Sequence, residues 1–340
     1  MRRLLRIGVM LTLLLLMVGA AFAWWSYRWL HGEIAELQAP LAYEVPRGAS
    51  LRAIARDLHQ QGVITQPEIW IAAARLSGKA GALRAGEYRL EPGSTPIGVL
   101  RVLSSGQVIL HAVTFVEGSR FADMLTQLKS HPAVRVEYAN GAAEDIMKAL
   151  GHPDMHPEGR FFPDTYHFPR HTSDLALLRM AFDRMTAELD KAWNERAPDL
   201  PLAGPYEALI LASIVEKETA LDRERPLVAG VFVERLRRGM RLQTDPTVIY
   251  GIGAAYDGDI RRRDLLLDTP YNTYTRSGLP PTPIALPGLD SLRATVRPEL
   301  SGKIFFVATG EPDGSHYFSA TLAEHNAAVK RYLQRLRQRK

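Results

Sequence analysis

The hydrophobic and polar positions divide the chain into an apolar start, a run of short alternating elements and a helix-rich remainder. Residues 7–25 are uncharged and mostly apolar. A run of that length is about what a helix needs to cross a bilayer. The pattern therefore predicts a single N-terminal transmembrane helix.

The residues on either side of this run favour a retained anchor. Basic residues precede it and aromatic residues follow it: Arg2, Arg3 and Arg6, then Trp24, Trp25 and Tyr27. This arrangement keeps the N-terminus in the cytoplasm, exports the rest of the chain and supplies an interfacial aromatic belt. A cleaved signal peptide stays open as the alternative, because residues 21–23 read Ala-Phe-Ala. Both interpretations place the bulk of the chain outside the cytoplasm.

Residues 43–116 read as small α+β elements. Ser50 is a predicted N-cap for a helix with apolar residues at helical spacing, and Gly62 follows its end. A second helix ends near Gly78. The segments after it predict a strand in AGEYRLEPGST, a helix in PIGVLRVLSSGQ and a strand in LHAVTFVEG.

The remainder is predicted to be mainly helical. Helical periodicity marks residues 174–193 and the segment that starts at Pro205, whereas residues 151–173 read as irregular. Beyond Gly239 the chain is rich in Pro, Gly, Thr, Tyr and Asn, which predicts ordered loops or short extended pieces. A β-hairpin follows, and a capping box at residues 321–324 starts a basic C-terminal helix. The fold class is therefore α+β.

Composition narrows the possible functions. The net charge of +5 is modest and lies partly in the basic ends of the chain, so it fits an anionic membrane surface or an acidic polymer. With no cysteine, disulfides and thiolate metal sites are excluded. No basic stripe with interleaved aromatics indicates nucleic-acid binding. The spacing of His152, His156 and His167 matches no metal motif, and no phosphate or dinucleotide loop is present. We therefore expect no metal and no cofactor.

Two glutamates in the helix from Pro205 differ in predicted environment. On a helical wheel, Glu218 falls at the centre of the apolar face. Glu216 falls on the opposite side and reads as an ordinary solvated carboxylate. A buried carboxyl group has a raised pKa, as a general acid requires. The open alternative is a structural ion pair between Glu218 and one of three arginines, namely Arg223, Arg225 or Arg241.

Other acidic residues are ambiguous. Asp245 precedes a proline, which predicts an extended or turn conformation, and it is either a second carboxylate or a turn cap. The cluster Glu158, Asp164 and Tyr166 could line a sugar-binding cleft or consist of turn and core residues.

Several long motifs in order carry a resemblance. They are EGRFFPDTYHF, ASIVEKETA, GMRLQTDPTVIYG, TPYNTYTRSGLPPTPIALPG and HYFSATLAEHN. Together with the N-terminal anchor they resemble the YceG-like family of endolytic murein transglycosylases. The resemblance implies an anchor in 1–28, a linker in 29–42, a LysM-like α+β module in 43–110 and a helix-rich catalytic region with a small β portion in 111–340.

The resemblance also implies that Glu218 is catalytic, the residue that the wheel selects independently. The implied reaction cleaves the β-1,4 bond between N-acetylmuramic acid and N-acetylglucosamine without water and leaves a 1,6-anhydro end. Our hypothesis is that further residues bind the glycan: Gln243, Thr244, Asp245, Tyr271, Asn272, Tyr274 and Glu158.

The expected partners are peptidoglycan glycan strands, the lipid bilayer and, from the resemblance alone, peptidoglycan synthases. Two other functions stay open. A muramidase-type hydrolase would use Asp245 or Asp164 to place water or form a covalent intermediate. A non-catalytic wall-binding anchor would rely on the LysM-like region.

Overall fold

The computed structural model describes residues 2–338, with side chains from residue 5 onward, so Met1, Arg339 and Lys340 lie outside the described part. The chain divides into two compact units. Unit 1 contains the residues up to His111 together with His167–Arg170. Unit 2 contains Ala112–Tyr166 and the residues from His171 onward.

A long apolar helix begins the chain. Helix α1 covers Arg2–His31, and its segment Leu5–His31 is long and apolar enough to span a membrane. Within residues 2–338, it is the only helix that meets this test. The helix contains Trp24 and Trp25 at the end of the apolar run and extends beyond that run to include Tyr27.

The rest of unit 1 is a small α+β structure. Its elements are β1 (Leu41–Val45), α2 (Leu51–Gln60), α3 (Pro67–Leu76), β2 (Gly86–Leu90) and α4 (Pro96–Ser105). The predicted N-cap is confirmed, because the Ser50 hydroxyl accepts a hydrogen bond from the Ala53 N–H. Gly62 and Gly78 lie two residues after their helices with φ of 76° and 69°, a region that favours glycine.

Strands β1 and β2 pair antiparallel with the two helices between them in sequence. Tyr43 and Tyr88 are register partners, and both side chains are buried with Trp70 in one core. The Trp70 indole N–H donates to the Pro96 carbonyl, which satisfies its polar end. The α+β class of this segment is as predicted, while its designation as LysM-like stays a prediction.

Unit 2 is mainly helical. Its first half contains β3 (Leu110–Thr114, which starts in unit 1), α5 (Phe121–Ser130), β4 (Val134–Arg135), α6 (Ala143–Leu150), β5 (Thr165–Pro169, which ends in unit 1), β6 (Thr172–Ser173) and α7 (Asp174–Asn194). Its second half contains α8 (Pro205–Glu218), α9 (Arg225–Arg237), α10 (Asp245–Ile252), α11 (Arg262–Leu266), α12 (Leu289–Val296), β7 (Phe305–Ala308), β8 (His316–Ser319) and α13 (Leu322–Gln338). The two-stranded sheets pair β3 with β5, β4 with β6 and β7 with β8.

The largest core of unit 2 lies around α8, with α7, α9 and α12 packed against it. Every residue of α8 from Ala208 to Val215 is buried. One close approach in this core requires glycine. A Cβ atom at Gly230 in α9 would overlap the carbonyl of Glu299, which follows α12.

Most predicted elements of unit 2 are confirmed, including the long helix α7, the β7–β8 hairpin and the capping box between Thr321 and Glu324. Two predictions were wrong. The segment 151–173, expected to be irregular, contains strands β5 and β6. The segment MRLQTDPTVIYGIG after Gly239, expected to be an ordered loop or a short extended piece, contains the short helix α10.

Candidate active site

Helix α8 carries both glutamates in its last turn. It begins at Pro205, as predicted, and ends at Glu218, after which Thr219 is extended. Proline fits the first turn because the missing N–H has no intrahelical partner there. The chain leaves the helix directly after Glu218, so this half-buried residue lies at the C-terminus of a helix whose central residues are buried.

The predicted solvation of Glu216 was wrong. Its side chain is only 6% exposed. Its Oε2 accepts hydrogen bonds from the Gly288 N–H at 3.0 Å and the Ser291 hydroxyl at 2.6 Å. The helical wheel failed because α8 is buried on all sides, so no face of it is a solvent face.

Glu218 has a different environment. Its Oε1 accepts a short hydrogen bond from the Thr244 hydroxyl, and its side chain keeps partial contact with solvent. Among residues 2–338, no group donates a hydrogen bond to its Oε2. One carboxyl oxygen is thus fixed by the protein while the other is open.

Burial raises the pKa of Glu218 to about 7. The hydrogen bond from Thr244 opposes this shift by stabilising the carboxylate, the negative charge of Asp245 adds to it, and the positive charge of Arg235 opposes it. The pKa of this carboxyl group therefore lies near neutral pH, where both protonation states are populated.

The three arginines that the sequence offered as ion-pair partners bind other groups. Arg223 pairs with Asp313 at 2.9 Å. Arg225 pairs with Asp222 and lies 3.9 Å from Glu216. Arg241 donates to the Tyr274 carbonyl at 2.9 Å. The structural ion-pair interpretation of Glu218 therefore has no support from these residues.

A tight segment before α10 presents Thr244 to Glu218. Gln243 is exposed and has a φ of 52°, which is uncommon for a residue other than glycine. Its N–H donates to the Thr273 carbonyl at 3.2 Å, and the Thr244 N–H donates to the Thr273 hydroxyl at 3.1 Å. Buried Thr273 thereby holds the backbone that carries Thr244, and strain of this kind is frequent at functional sites.

Asp245 is the first residue of α10, so the predicted extended or turn conformation was wrong. The first turn of a helix tolerates the following Pro246, because no intrahelical N–H is needed there. The exposed Asp245 carboxylate accepts a hydrogen bond from the Tyr274 hydroxyl at 2.6 Å. Burial raises the pKa of Tyr274, and the charges of Asp245 and Glu218 raise it further.

Tyr271 and Asn272 belong to the loop that faces this segment. The Tyr271 hydroxyl shares a 2.9 Å hydrogen bond with the Thr282 hydroxyl. Asn272 is buried, and its side-chain amide donates to three carbonyls at the end of α11, those of Asp264, Leu265 and Leu267. In this structure Asn272 fixes the loop, and any glycan contact by either residue stays a prediction.

Glu158 is buried at 5% exposure and fully hydrogen-bonded. Its oxygens accept from the Phe121 N–H at 2.9 Å and from the Tyr250 hydroxyl at 3.1 Å. Burial raises the pKa of Glu158. The other two members of this predicted cluster are Asp164 and Tyr166. Asp164 forms a surface ion pair with Arg184. Tyr166 is buried, and its hydroxyl donates to the Phe162 carbonyl at 2.8 Å.

Sequence reasoning missed two supporting residues, Arg235 and Thr273. The Arg235 guanidinium is buried and donates to the Leu242 carbonyl at 2.6 Å and the Ile304 carbonyl at 2.7 Å. A signal existed, because Arg235 follows the buried Phe232 by three positions on α9 and so interrupts an apolar stripe. Thr273 carried no comparable signal.

The arrangement suits proton transfer by a single carboxyl group. Glu218 is held at one oxygen, open at the other and poised near neutral pKa, so it can donate a proton and later accept one. Two exposed or partly exposed polar side chains, Asp245 and Tyr274, lie close enough to interact with it electrostatically.

The comparisons with known proteins agree with the resemblance. The profile of the YceG-like family matches residues 43–331, and the chain therefore belongs to the YceG-like family. The chain is similar to the endolytic murein transglycosylase of Bacillus subtilis, with 28% identity over 309 residues, 85% of this chain and 84% of that protein. It is also similar to the endolytic murein transglycosylase of Streptococcus pneumoniae, with 26% identity over 326 residues, 85% of this chain and 58% of that protein.

A solved structure is similar as well. The crystal structure of a yceG-like protein from Listeria monocytogenes aligns with a TM-score of 0.54 and 28% identity, over 85% of this chain and 98% of that chain. The predicted family and the predicted enzyme class, a lytic transglycosylase, are confirmed by these similarities.

Proposed function

We propose that this chain is a membrane-anchored endolytic lytic transglycosylase of peptidoglycan, with Glu218 as its general acid and then its base. The observation that carries the proposal is the Glu218 carboxyl group, held by Thr244 at one oxygen and open at the other, with a pKa raised to about 7. The names of the relatives from Bacillus and Streptococcus supply the substrate class.

In the first step, protonated Glu218 donates its proton to the glycosidic oxygen between N-acetylmuramic acid and N-acetylglucosamine. The bond from that oxygen to C1 of the muramic acid breaks, and C1 acquires oxocarbenium character. The leaving sugar departs with its 4-hydroxyl restored. A carboxyl group with a pKa near the working pH is efficient here, because a useful fraction is protonated.

In the second step, ionised Glu218 removes the proton from the C6 hydroxyl of the same muramic acid. The C6 oxygen then bonds to C1 and closes a 1,6-anhydro ring, so no water is consumed. The nucleophile belongs to the substrate, and a single carboxyl group therefore serves both steps. The Thr244 hydrogen bond stabilises the ionised state between them.

The oxocarbenium-like centre needs electrostatic stabilisation, and Asp245 is our candidate for it. Its carboxylate is exposed, is oriented by the Tyr274 hydroxyl and contributes to the raised pKa of Glu218 through its charge. A fixed negative charge near a developing positive charge lowers the barrier without reorganisation during the reaction.

The glycan is oriented, in this proposal, by polar and aromatic groups around Glu218. Gln243, Tyr271 and Tyr274 are at least partly exposed and are proposed to contact the sugar. Asn272 and Glu158 are buried, and we propose that they act on glycan binding through the backbone and side chains they hold.

The N-terminal helix α1 is proposed to be a single-pass anchor with a cytoplasmic N-terminus, which places the catalytic unit outside the cytoplasm. Anchoring in the lipid bilayer would confine cleavage to glycan strands near the membrane, so nascent strands are the proposed substrate. Peptidoglycan synthases are proposed neighbours from the family resemblance alone.

A muramidase-type hydrolase is the second candidate, because Asp245 lies close enough for its charge to affect Glu218. The chemical form of the new ends decides between the two. We expect mass spectrometry of glycan digested by the purified chain to show 1,6-anhydro ends and no uptake of oxygen from ¹⁸O-labelled water. Reducing ends that carry ¹⁸O would identify a hydrolase.

The same digestion with Glu218→Gln tests the assigned residue. The amide keeps the shape of the side chain but cannot donate and retrieve a proton, so we expect glycan to bind without being cut. Anhydro-ended products from this variant would contradict the assignment. Retained binding without cleavage would also exclude a non-catalytic wall-binding anchor, since such a protein has no cleavage to lose.

A further inference from the structure

Three consecutive residues at the end of α8 bind three different parts of unit 2. Glu216 binds the start of α12, Lys217 donates to the Gly118 carbonyl at 3.0 Å, and Glu218 accepts from Thr244. Successive residues of a helix point in directions about 100° apart, so one turn can reach all three partners. Glu216 and Lys217 are therefore each held by a different part of unit 2. Glu218, the last of the three residues, is held by Thr244 through one carboxyl oxygen only.

The Glu216 carboxylate caps the N-terminus of α12. Gly288 directly precedes that helix, and its N–H donates to Glu216 Oε2 at 3.0 Å. The fully buried Ser291 donates to the same oxygen at 2.6 Å. A carboxylate at this position satisfies a free N–H group and interacts favourably with the helix dipole.

Lys217 is connected, through its contact with Gly118, to the loop that leads into α12. The Gly118 N–H donates to the Leu286 carbonyl at 2.9 Å, and the Leu286 N–H donates to the Ser119 carbonyl at 2.8 Å. Leu286 lies two residues before Gly288. Both Glu216 and Lys217 thus connect the last turn of α8 to the loop that leads into α12.

Other charges surround Glu216. Arg225 at the start of α9 lies 3.9 Å from its Oε1 and is itself buried. Burial raises the pKa of Glu117, and the nearby Glu216 charge raises it further. The elements on three sides of Glu216 therefore constrain where its carboxylate can lie.

The last turn of α8 needs such support. The hydrogen bond from the Thr219 N–H to the Val215 carbonyl is long, at 3.4 Å, and Thr219 itself is extended. The negative charge of Glu216, and that of Glu218 when it is ionised, are also unfavourable at a helix C-terminus in the field of the helix dipole. Without external contacts this turn would fray, and the Glu218 carboxyl group would lose its fixed position relative to Thr244.

We propose that Glu216 is a positioning residue for the reaction, which fixes the last turn of α8 against α12 so that Glu218 meets the scissile bond in one orientation. This inference rests on the proposed function of Glu218. A displacement of about 1 Å in a catalytic group can cost on the order of 100-fold in rate, so loss of the Glu216 contacts should reduce turnover more than binding.

The test compares Glu216→Ala, Glu216→Gln and Ser291→Ala with a matched control on the same helix. The control is Glu207→Ala, which removes a carboxylate that accepts from the Ala203 N–H at 2.7 Å in the first turn of α8. All variants are assayed in the full chain for kcat and KM of glycan bond cleavage, whichever end forms, and for thermal midpoint.

We expect Glu216→Ala to lower kcat by about 10-fold to 100-fold with KM within about twofold of wild type. Glu216→Gln should recover part of the loss, because its carbonyl oxygen can replace Oε2 as acceptor of both hydrogen bonds while the negative charge is lost. Ser291→Ala should give a smaller loss. Glu207→Ala should lower the thermal midpoint and leave kcat within about twofold.

Wild-type kcat in Glu216→Ala, or equal losses in Glu216→Ala and Glu207→Ala at matched thermal midpoints, would overturn the proposal and assign Glu216 a purely structural role. The outcome is separable from the proposed function. The cleavage rate tests Glu216, whereas the chemical form of the new ends and the activity of Glu218→Gln test the transglycosylase mechanism.

Discussion

Two regions of unit 2 each contain a carboxyl group whose pKa is raised by burial. They differ in whether one oxygen of that carboxyl group is left without a hydrogen bond from the described residues. At Glu158, the Phe121 N–H and the Tyr250 hydroxyl occupy both oxygens, and the side chain is 5% exposed. At Glu218, only Thr244 donates among the described residues, and solvent reaches the side chain.

The difference shows that a raised pKa does not by itself identify a general acid. Ionisable groups in structural networks also have shifted pKa values. A general acid must in addition have an oxygen within hydrogen-bond reach of the substrate. Glu218 combines a raised pKa with a carboxyl oxygen that accepts no hydrogen bond from the described residues, whereas both oxygens of Glu158 accept one, so substitutions at the two sites should have different consequences.

The largest expected effect is on turnover in Glu218→Gln. Loss of general acid–base catalysis should lower kcat by about 10²-fold to 10⁴-fold, with an unchanged or higher thermal midpoint, because a costly buried carboxyl group is removed. The measurement is the release of soluble glycan fragments at saturating substrate. A loss below tenfold would remove the functional distinction between the two regions.

Glu158→Ala should have the opposite profile. The variant leaves the buried Phe121 N–H and the Tyr250 hydroxyl without their acceptor, which should lower the free energy of unfolding by about 1–3 kcal/mol. Urea denaturation measures this change. The kcat of the folded fraction should stay within about tenfold of wild type, and a loss as large as that of Glu218→Gln would give Glu158 a direct part in the chemistry.

Thr244→Val sharpens the comparison by removing the single hydrogen bond at Glu218. That bond stabilises the carboxylate, so its loss should raise the pKa of Glu218 above about 7. The alkaline limb of the kcat–pH profile should move to higher pH. We expect kcat at its optimum to fall about fivefold, the effect of one hydrogen bond of about 1 kcal/mol. An alkaline limb that moves to lower pH would contradict this account.

Asp245→Asn should move the alkaline limb of the kcat–pH profile to lower pH, by a smaller amount than Thr244→Val moves it to higher pH. The charge of Asp245 raises the pKa of Glu218, so its removal should lower that pKa. Loss of the charge should also reduce kcat modestly, by about tenfold or less. A loss of 10³-fold or more would favour the hydrolase, in which Asp245 has a direct catalytic role.

Local signals in the sequence were sufficient to predict much of the fold. Ser50, Pro205 and Thr321 each start a helix as expected, because capping depends on neighbouring residues alone. The β7–β8 hairpin and the α+β class also follow from local pattern. The short helix α10 escaped prediction, since tertiary contacts override the weak helical propensity of a segment rich in Pro, Gly and Thr.

The site was predictable only in part. The selection of Glu218 followed from a wheel that assumed one solvent face, and the same assumption gave the wrong environment for Glu216. The exposed backbone at Gln243 and the support from Thr273 depend on contacts between residues about 30 positions apart. Pairings at that separation leave no periodic trace in a single sequence.

The central claim is that Glu218 exchanges its proton near neutral pH, and a direct titration tests it. Carboxyl ¹³C spectra of glutamate-labelled wild type and Glu218→Gln, compared over a pH series, isolate the resonance of this residue. We predict a resonance that titrates with a midpoint near pH 7 in wild type and is absent from the variant. A midpoint near pH 4, the ordinary range for glutamate, would contradict the account.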